Sequence, residues 1–156
     1  AHIAGVSCEG EIGFVGYSQG EKSAGTDPQE AAKFACETGV DAMAISVGNV
    51  HLQQDKEGGL DTGRIKEIET LTNVPLVIHG GSGVPVRQRT QLATESNVCK
   101  FNIGTELRMA FGEAMRNAVN CDSSRFDRVT ILKETHEPMV MATRRVLSAF
   151  GHKKRG

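Results

Sequence analysis

Tryptophan is absent from this chain, tyrosine occurs once, and aromatic residues make up only 4% of it. Stacking platforms for bases or sugar rings therefore have little to be built from. An excess of one charge is lacking too: 18 Lys and Arg stand against 19 Asp and Glu, a formal net charge of −1. That balance gives no electrostatic reason to bind nucleic acid or an anionic membrane surface. The one basic run, His152 to Gly156, reads as a solvated end. No apolar run approaches the roughly 20 residues of a membrane span, and no signal-peptide-like segment opens the sequence. The four cysteines, Cys8, Cys36, Cys99 and Cys121, form no C-x-x-C pair. They read as reduced thiols of a cytoplasmic protein.

The chain does offer 156 residues, 38% of them hydrophobic, enough for one ordinary domain without metal or disulfide staples. Four short segments predict strands: Val6 to Gly13, Val40 to Val47, Val74 to His79 and Val98 to Gly104. Each is continuously apolar or small, the pattern of strands covered on both faces of a parallel sheet. Helical signals lie between them. In "TDPQEAAKFACETG", Asp27 can cap, Pro28 takes the first helical position, Glu30 completes a capping-box spacing and Gly39 stops the helix. "LDTGRIKEIETLTN" places Ile65, Ile68 and Leu71 three apart on one expected face, and "PVRQRTQLATES" predicts a shorter third helix. "TELRMAFGEAMRNAVN" and an amphipathic "EPMVMATRRVLSAFG" close the series.

Strand starts recur about every 24 to 35 residues, the rhythm of βα units in a parallel sheet. Such a rhythm fits an open doubly wound sheet or half of an eight-stranded barrel, and the period does not choose. In both, ligands sit beyond the carboxyl ends of the strands. His51 in "ISVGNVHL", His79 in "PLVIHGGSG" and the "NIGT" turn all fall there.

A lone strand-end histidine most often donates to a backbone carbonyl. Two at equivalent ends of adjacent strands, about 4.8 Å apart, can instead converge on one ion, and zinc is the metal such a pair favours. Glu9 and Glu11, two apart on the first strand, share a face, and carboxylates on a strand covered on both sides need a polar or metal partner. Gly80, Gly81, Ser82, Gly104 and Thr105 combine backbone amides open to close approach with two helix amino ends, a plausible anion cradle.

"VSCEGEIG", "AISVGNVH", "VPLVIHGGSGVP" and "CKFNIGTELRMAF", in that order, resemble the carboxyl-terminal half of class II, zinc-dependent ketose-bisphosphate aldolases, the fructose- and tagatose-type enzymes. The resemblance covers nearly the whole chain. It implies a (β/α)8 TIM barrel of which residues 1–156 would supply strands five to eight plus carboxyl-terminal helices. It implies Zn2+ or another divalent metal, with room for a monovalent cation. His51 and His79 match two of three zinc histidines, and Glu11 matches an alternate metal ligand. Gly80, Gly81 and Ser82, with Asn102, Ile103, Gly104 and Thr105, match the residues that bind dihydroxyacetone phosphate. Glu21 stands near the family's proton-carrying acid, at a shifted position. Leu52 stands where the family has glycine, and Gly104 where "NIDT"-type turns have aspartate. The third zinc histidine and the catalytic aspartate belong to an earlier strand that has no counterpart here.

The expected activity is reversible aldol cleavage of a ketose 1,6-bisphosphate to dihydroxyacetone phosphate and an aldehyde. It would be incomplete without the other half of the barrel, which is expected from the same or another chain. A homo-oligomer is also expected. Two alternatives stand beside it: an aldolase for a phosphorylated deoxy-keto-sugar acid, and a non-catalytic barrel subunit that binds a phosphometabolite. An open nucleotide-binding sheet would want G-x-G-x-x-G after its first strand, and "GEIGFVGYSQGE" has none.

Overall fold

A computed structural model describes residues 1–17, 23–52 and 59–150. They form two compact units, Ala1–Ile103 and the segment from Gly104 onward. In the first, strands β1 (Glu9–Glu11), β3 (Ala42–Ile45), β5 (Leu76–Ile78) and β6 (Val98–Phe101) make one parallel sheet in the order β1-β3-β5-β6. Strand order follows chain order throughout. A doubly wound sheet would carry a reversal, so these four strands have the succession of a barrel. Two very short strands, β2 (Gly16–Tyr17) and β4 (Val50–His51), pair in parallel as a separate ribbon.

Helix α1 (Pro28–Thr38) starts as its sequence predicts, with the Asp27 carboxylate accepting from the N–H groups of Gln29 and Glu30. Gly39 ends it at φ 64°, the left-handed region that glycine enters without steric cost. Helix α2 (Thr62–Leu71) is capped by Asp61, which accepts from the Arg64 N–H. Its Ile65 and Ile68 are fully buried, but Leu71 is 47% exposed, against expectation. Each step of three residues falls about 60° short of a full turn, so Leu71 points about 120° away from Ile65. Helix α3 (Val86–Glu95) matches α2 in length at 10 residues.

The helix-facing side of the sheet holds the core: Met43, Ile45, Leu76 and Ile78 pack with Ile65, Ile68, Ala31 and Ala35. Gly10 of β1 belongs to this side, where a Cβ would stand 2.9 Å from the Phe34 ring. On the opposite side Ala44 of β3 and Val77 of β5 are buried, as expected of strands covered on both faces, and it is the outer strands β1 and β6 that depart. Glu9 and Glu11 are exposed there, so they face solvent and one another's partners rather than a dry interior.

The second unit is helical. Helices α4 (Thr105–Asn120), α5 (Arg128–Glu134) and α6 (His136–Ser148) pack together, with Ala114 and Ala118 of α4 and Ala142 and Val146 of α6 buried. Asp127, accepting from the Val129 and Thr130 N–H groups, starts α5, a helix not expected from the sequence. No helix of the described residues is long and apolar enough to cross a membrane.

Candidate metal and phosphate site

His79 follows β5 directly, at the carboxyl edge of the sheet. Its carbonyl accepts from Asn49 Nδ2 at 2.9 Å, and the same amide nitrogen donates to the Ile45 carbonyl at 3.2 Å. Asn49 Oδ1 in turn accepts from the Val47 N–H at 2.7 Å. A buried amide that uses both its ends ties the β3 exit to the β5 exit and holds the His79 backbone in place.

The His79 ring has a carboxylate on each side. Nε2 lies 3.2 Å from Glu9 Oε1, and Nδ1 lies 3.6 Å from Glu11 Oε1. The expectation that the two glutamates share a face matches this placement. Lys100 Nζ approaches Glu9 Oε2 at 2.6 Å. That ammonium, with His79 in support and partial burial in opposition, holds the Glu9 carboxyl below its ordinary pKa. Sequence reasoning missed Lys100. Alternation around "NVCKFN" would put Lys100 on the face of Val98, and only the irregularity between β5 and β6 turns it to the other side.

His51 is placed differently from expectation. It lies on β4, in the separate ribbon, rather than at the end of β3. The two imidazoles nonetheless approach, with ring centroids 6.1 Å apart and planes at 45°. Zinc–nitrogen bonds of about 2.0 to 2.1 Å put the centroids of two ligating rings about 5 to 6 Å apart, so this spacing suits a shared ion. Two ring nitrogens and the Glu11 oxygen are also the donor types zinc takes. Among the described residues, no three His, Cys, Asp or Glu side chains stand close enough together to hold a metal by themselves.

The "HGGSG" segment turns at Gly80, φ 64°, into a single 3-10 turn over Gly81–Gly83. The Gly81 N–H donates to the Asn102 carbonyl at 3.0 Å, and the Asn102 N–H donates to the Ile78 carbonyl at 2.9 Å. These bonds bring "GGS" and "NI" together as expected, but they also engage the Gly81 amide. Ser82 is buried, at 6% exposure. Gly104 caps α4 and Thr105 is its first residue, both in the helical unit. Glu21 lies outside the described residues. Leu52 takes φ 58°, the left-handed conformation that glycine enters most readily.

Consecutive βα units in chain order, with two histidines and two carboxylates gathered beside the sheet, define a protein of the barrel type. Residues 1–155 match the family described as class-II fructose-bisphosphate aldolase, and the chain belongs to that family. It is 37% identical over 131 residues to the fructose-bisphosphate aldolase of Geobacillus stearothermophilus, covering 81% of this chain and 45% of that one. It is 35% identical over 154 residues to the 6-phospho-5-dehydro-2-deoxy-D-gluconate aldolase of Shouchella clausii (strain KSM-K16), covering 97% and 52%. Among solved structures, the YdjI aldolase of Escherichia coli K12 superposes with a TM-score of 0.70 at 27% identity, over 99% of this chain and 51% of that one. The chain thus spans about half the length of the relatives it matches. Its fold is that of part of their (β/α)8 TIM barrel.

Proposed function

We propose that residues 1–156 are strands five to eight, with carboxyl-terminal helices, of a class II aldolase barrel. The reaction is reversible cleavage of a ketose 1,6-bisphosphate to dihydroxyacetone phosphate and an aldehyde. The observation that carries this reading is the approach of the His51 and His79 rings to 6.1 Å beside Glu11. His51 and His79 would hold a zinc ion together with a ligand from the other half of the barrel, with Glu11 as an alternate carboxylate ligand. When bound, zinc supplies a Lewis acid that polarises a ketone carbonyl. The chain's own residues do the rest. Asn49 fixes the His79 backbone, and the Gly80–Ser82 turn, closed onto Asn102, is assigned the phosphate ester together with Ile103; the resemblance assigns Gly104 and Thr105 the same ligand. Glu21 is assigned the proton-carrying role.

Carbohydrate breakdown in the cytoplasm, by an assembly of identical chains, completes the reading. The location is supported by four unbridged cysteines. The test is turnover by the complete enzyme with and without a chelator, on fructose 1,6-bisphosphate, tagatose 1,6-bisphosphate and a phosphorylated deoxy-keto-sugar acid. Chelator-sensitive cleavage of a bisphosphate supports it. Preference for the acid would favour the chemistry named for the Shouchella relative, and no cleavage of any, with phosphate binding retained, would favour a non-catalytic barrel.

A further inference from the structure

Glu9 and Lys100 sit on the first and last strands of the four-stranded sheet, yet their side chains meet at 2.6 Å. Register explains how. Glu11 pairs with Ala44, Ala44 with Val77, and Val77 with Lys100, so Lys100 shares the face that carries Glu9 and Glu11. That alignment depends on the irregularity between β5 and β6. Leu76 pairs with Val98, but the next residue, Val77, pairs with Lys100, and Cys99 is passed over. In an unbroken register Cys99 would oppose Val77, and Lys100 would oppose Ile78 on the helix-packed side. A one-residue slip sends a side chain to the other face, and bulges are a standard way to re-aim one. The bulge therefore places an ammonium opposite the carboxylates. Between them Ala42 and Ala44 are small enough for two long side chains to meet across the sheet.

We propose that Glu9 and Lys100 act as a positioning pair for His79, fixing which ring nitrogen carries the proton. This rests on the reading of His79 as a metal ligand. An ionised carboxylate only accepts hydrogen bonds, so Glu9 Oε1 at 3.2 Å requires Nε2 to be the protonated nitrogen. Nδ1, beside Glu11, is then left with the lone pair an ion needs. Lys100 occupies the other oxygen of Glu9 and so favours the orientation that faces the ring. Second-sphere carboxylates of this kind orient imidazole ligands and fix their tautomer.

Three variants of the complete enzyme test it: Glu9→Ala, Lys100→Met and Lys100→Arg. Zinc affinity is measured by chelator competition, and the His79 tautomer by 15N chemical shifts in zinc-free protein. Glu9→Ala should weaken zinc about 10- to 100-fold and turn a single Nε2–H tautomer into a mixture. Lys100→Met, which removes the ammonium on Glu9, should do the same to a smaller degree, and Lys100→Arg should restore both readouts. Folded Glu9→Ala and Lys100→Met proteins with parental zinc affinity and an unchanged tautomer would overturn the pairing. If the parent takes up no zinc but its tautomer still depends on Glu9, the pairing stands and the metal reading fails.

Discussion

Replacing Gly81 by valine probes the phosphate edge where its geometry is tightest. A Cβ there would stand 2.9 Å from Ile103 Cδ1, 3.3 Å from the Asn102 carbonyl oxygen and 3.4 Å from Phe101 Cβ. The Ile103 methyl can rotate aside, but the carbonyl is backbone and accepts the Gly81 N–H at 3.0 Å. Alanine therefore asks for a shift of a few tenths of an ångström. Valine adds two branches at the same place and drives the turn off Asn102. Overpacking of this kind costs about 1 to 3 kcal/mol, and loss of the hydrogen bond about 0.5 to 1.5 kcal/mol. A phosphate gripped by this edge would lose one or two charge-assisted hydrogen bonds of about 1.5 to 3 kcal/mol each, or roughly one to four orders of magnitude in affinity. His79 precedes the turn and is held through Asn49, so metal uptake should survive. The assay is a pair of titrations on the complete enzyme, one with zinc and one with dihydroxyacetone phosphate, for parent, Gly81→Ala and Gly81→Val. A graded loss of phosphate affinity at constant zinc affinity is expected. Parental phosphate affinity in a folded, zinc-replete Gly81→Val protein would refute the reasoning.

Three further outcomes are expected. His51→Ala and His79→Ala should each lower zinc content and abolish turnover of the complete enzyme while leaving the thermal transition nearly unchanged; elemental analysis and melting check this. Leu52→Gly relieves a left-handed leucine at φ 58°, worth about 1 to 2 kcal/mol, against about 0.5 to 1 kcal/mol of added chain entropy. Its Tm should thus hold or rise, and a drop would contradict the strain. The Cys8 N–H and then His2 hold the Asp41 carboxyl below its ordinary value of 3.8. A lowered folded pKa stabilises above the ordinary value and is lost as pH falls through the folded one. The stability difference between parent and Asp41→Asn should therefore be constant near neutrality and shrink below about pH 4 in denaturant titrations.

Much of this was legible because local signals and tertiary demands agree. Asp27, Pro28 and Gly39 mark α1 by chemistry that acts within four residues, and the apolar strands could only be parallel. Asp61 and Asp127 use the same cap, yet α5 escaped notice because Thr135 joins it to α6 with no breaker between. His79 and the "GGS" turn were legible as types in a pattern. The displaced position of His51 was not, since the β2–β4 ribbon has two residues a side and no periodicity to read. Lys100 was hidden for a different reason. Its face is set by a bulge, which follows from packing between strands and leaves no mark on the alternation within one.

X-ray absorption at the zinc edge of the complete enzyme tests most directly the claim that His51 and His79 share one ion. At least two imidazole ligands at about 2.0 to 2.1 Å are expected, with one lost in His79→Ala and one in His51→Ala. A double His51→Ala, His79→Ala protein that still binds stoichiometric zinc with an unchanged spectrum would contradict it.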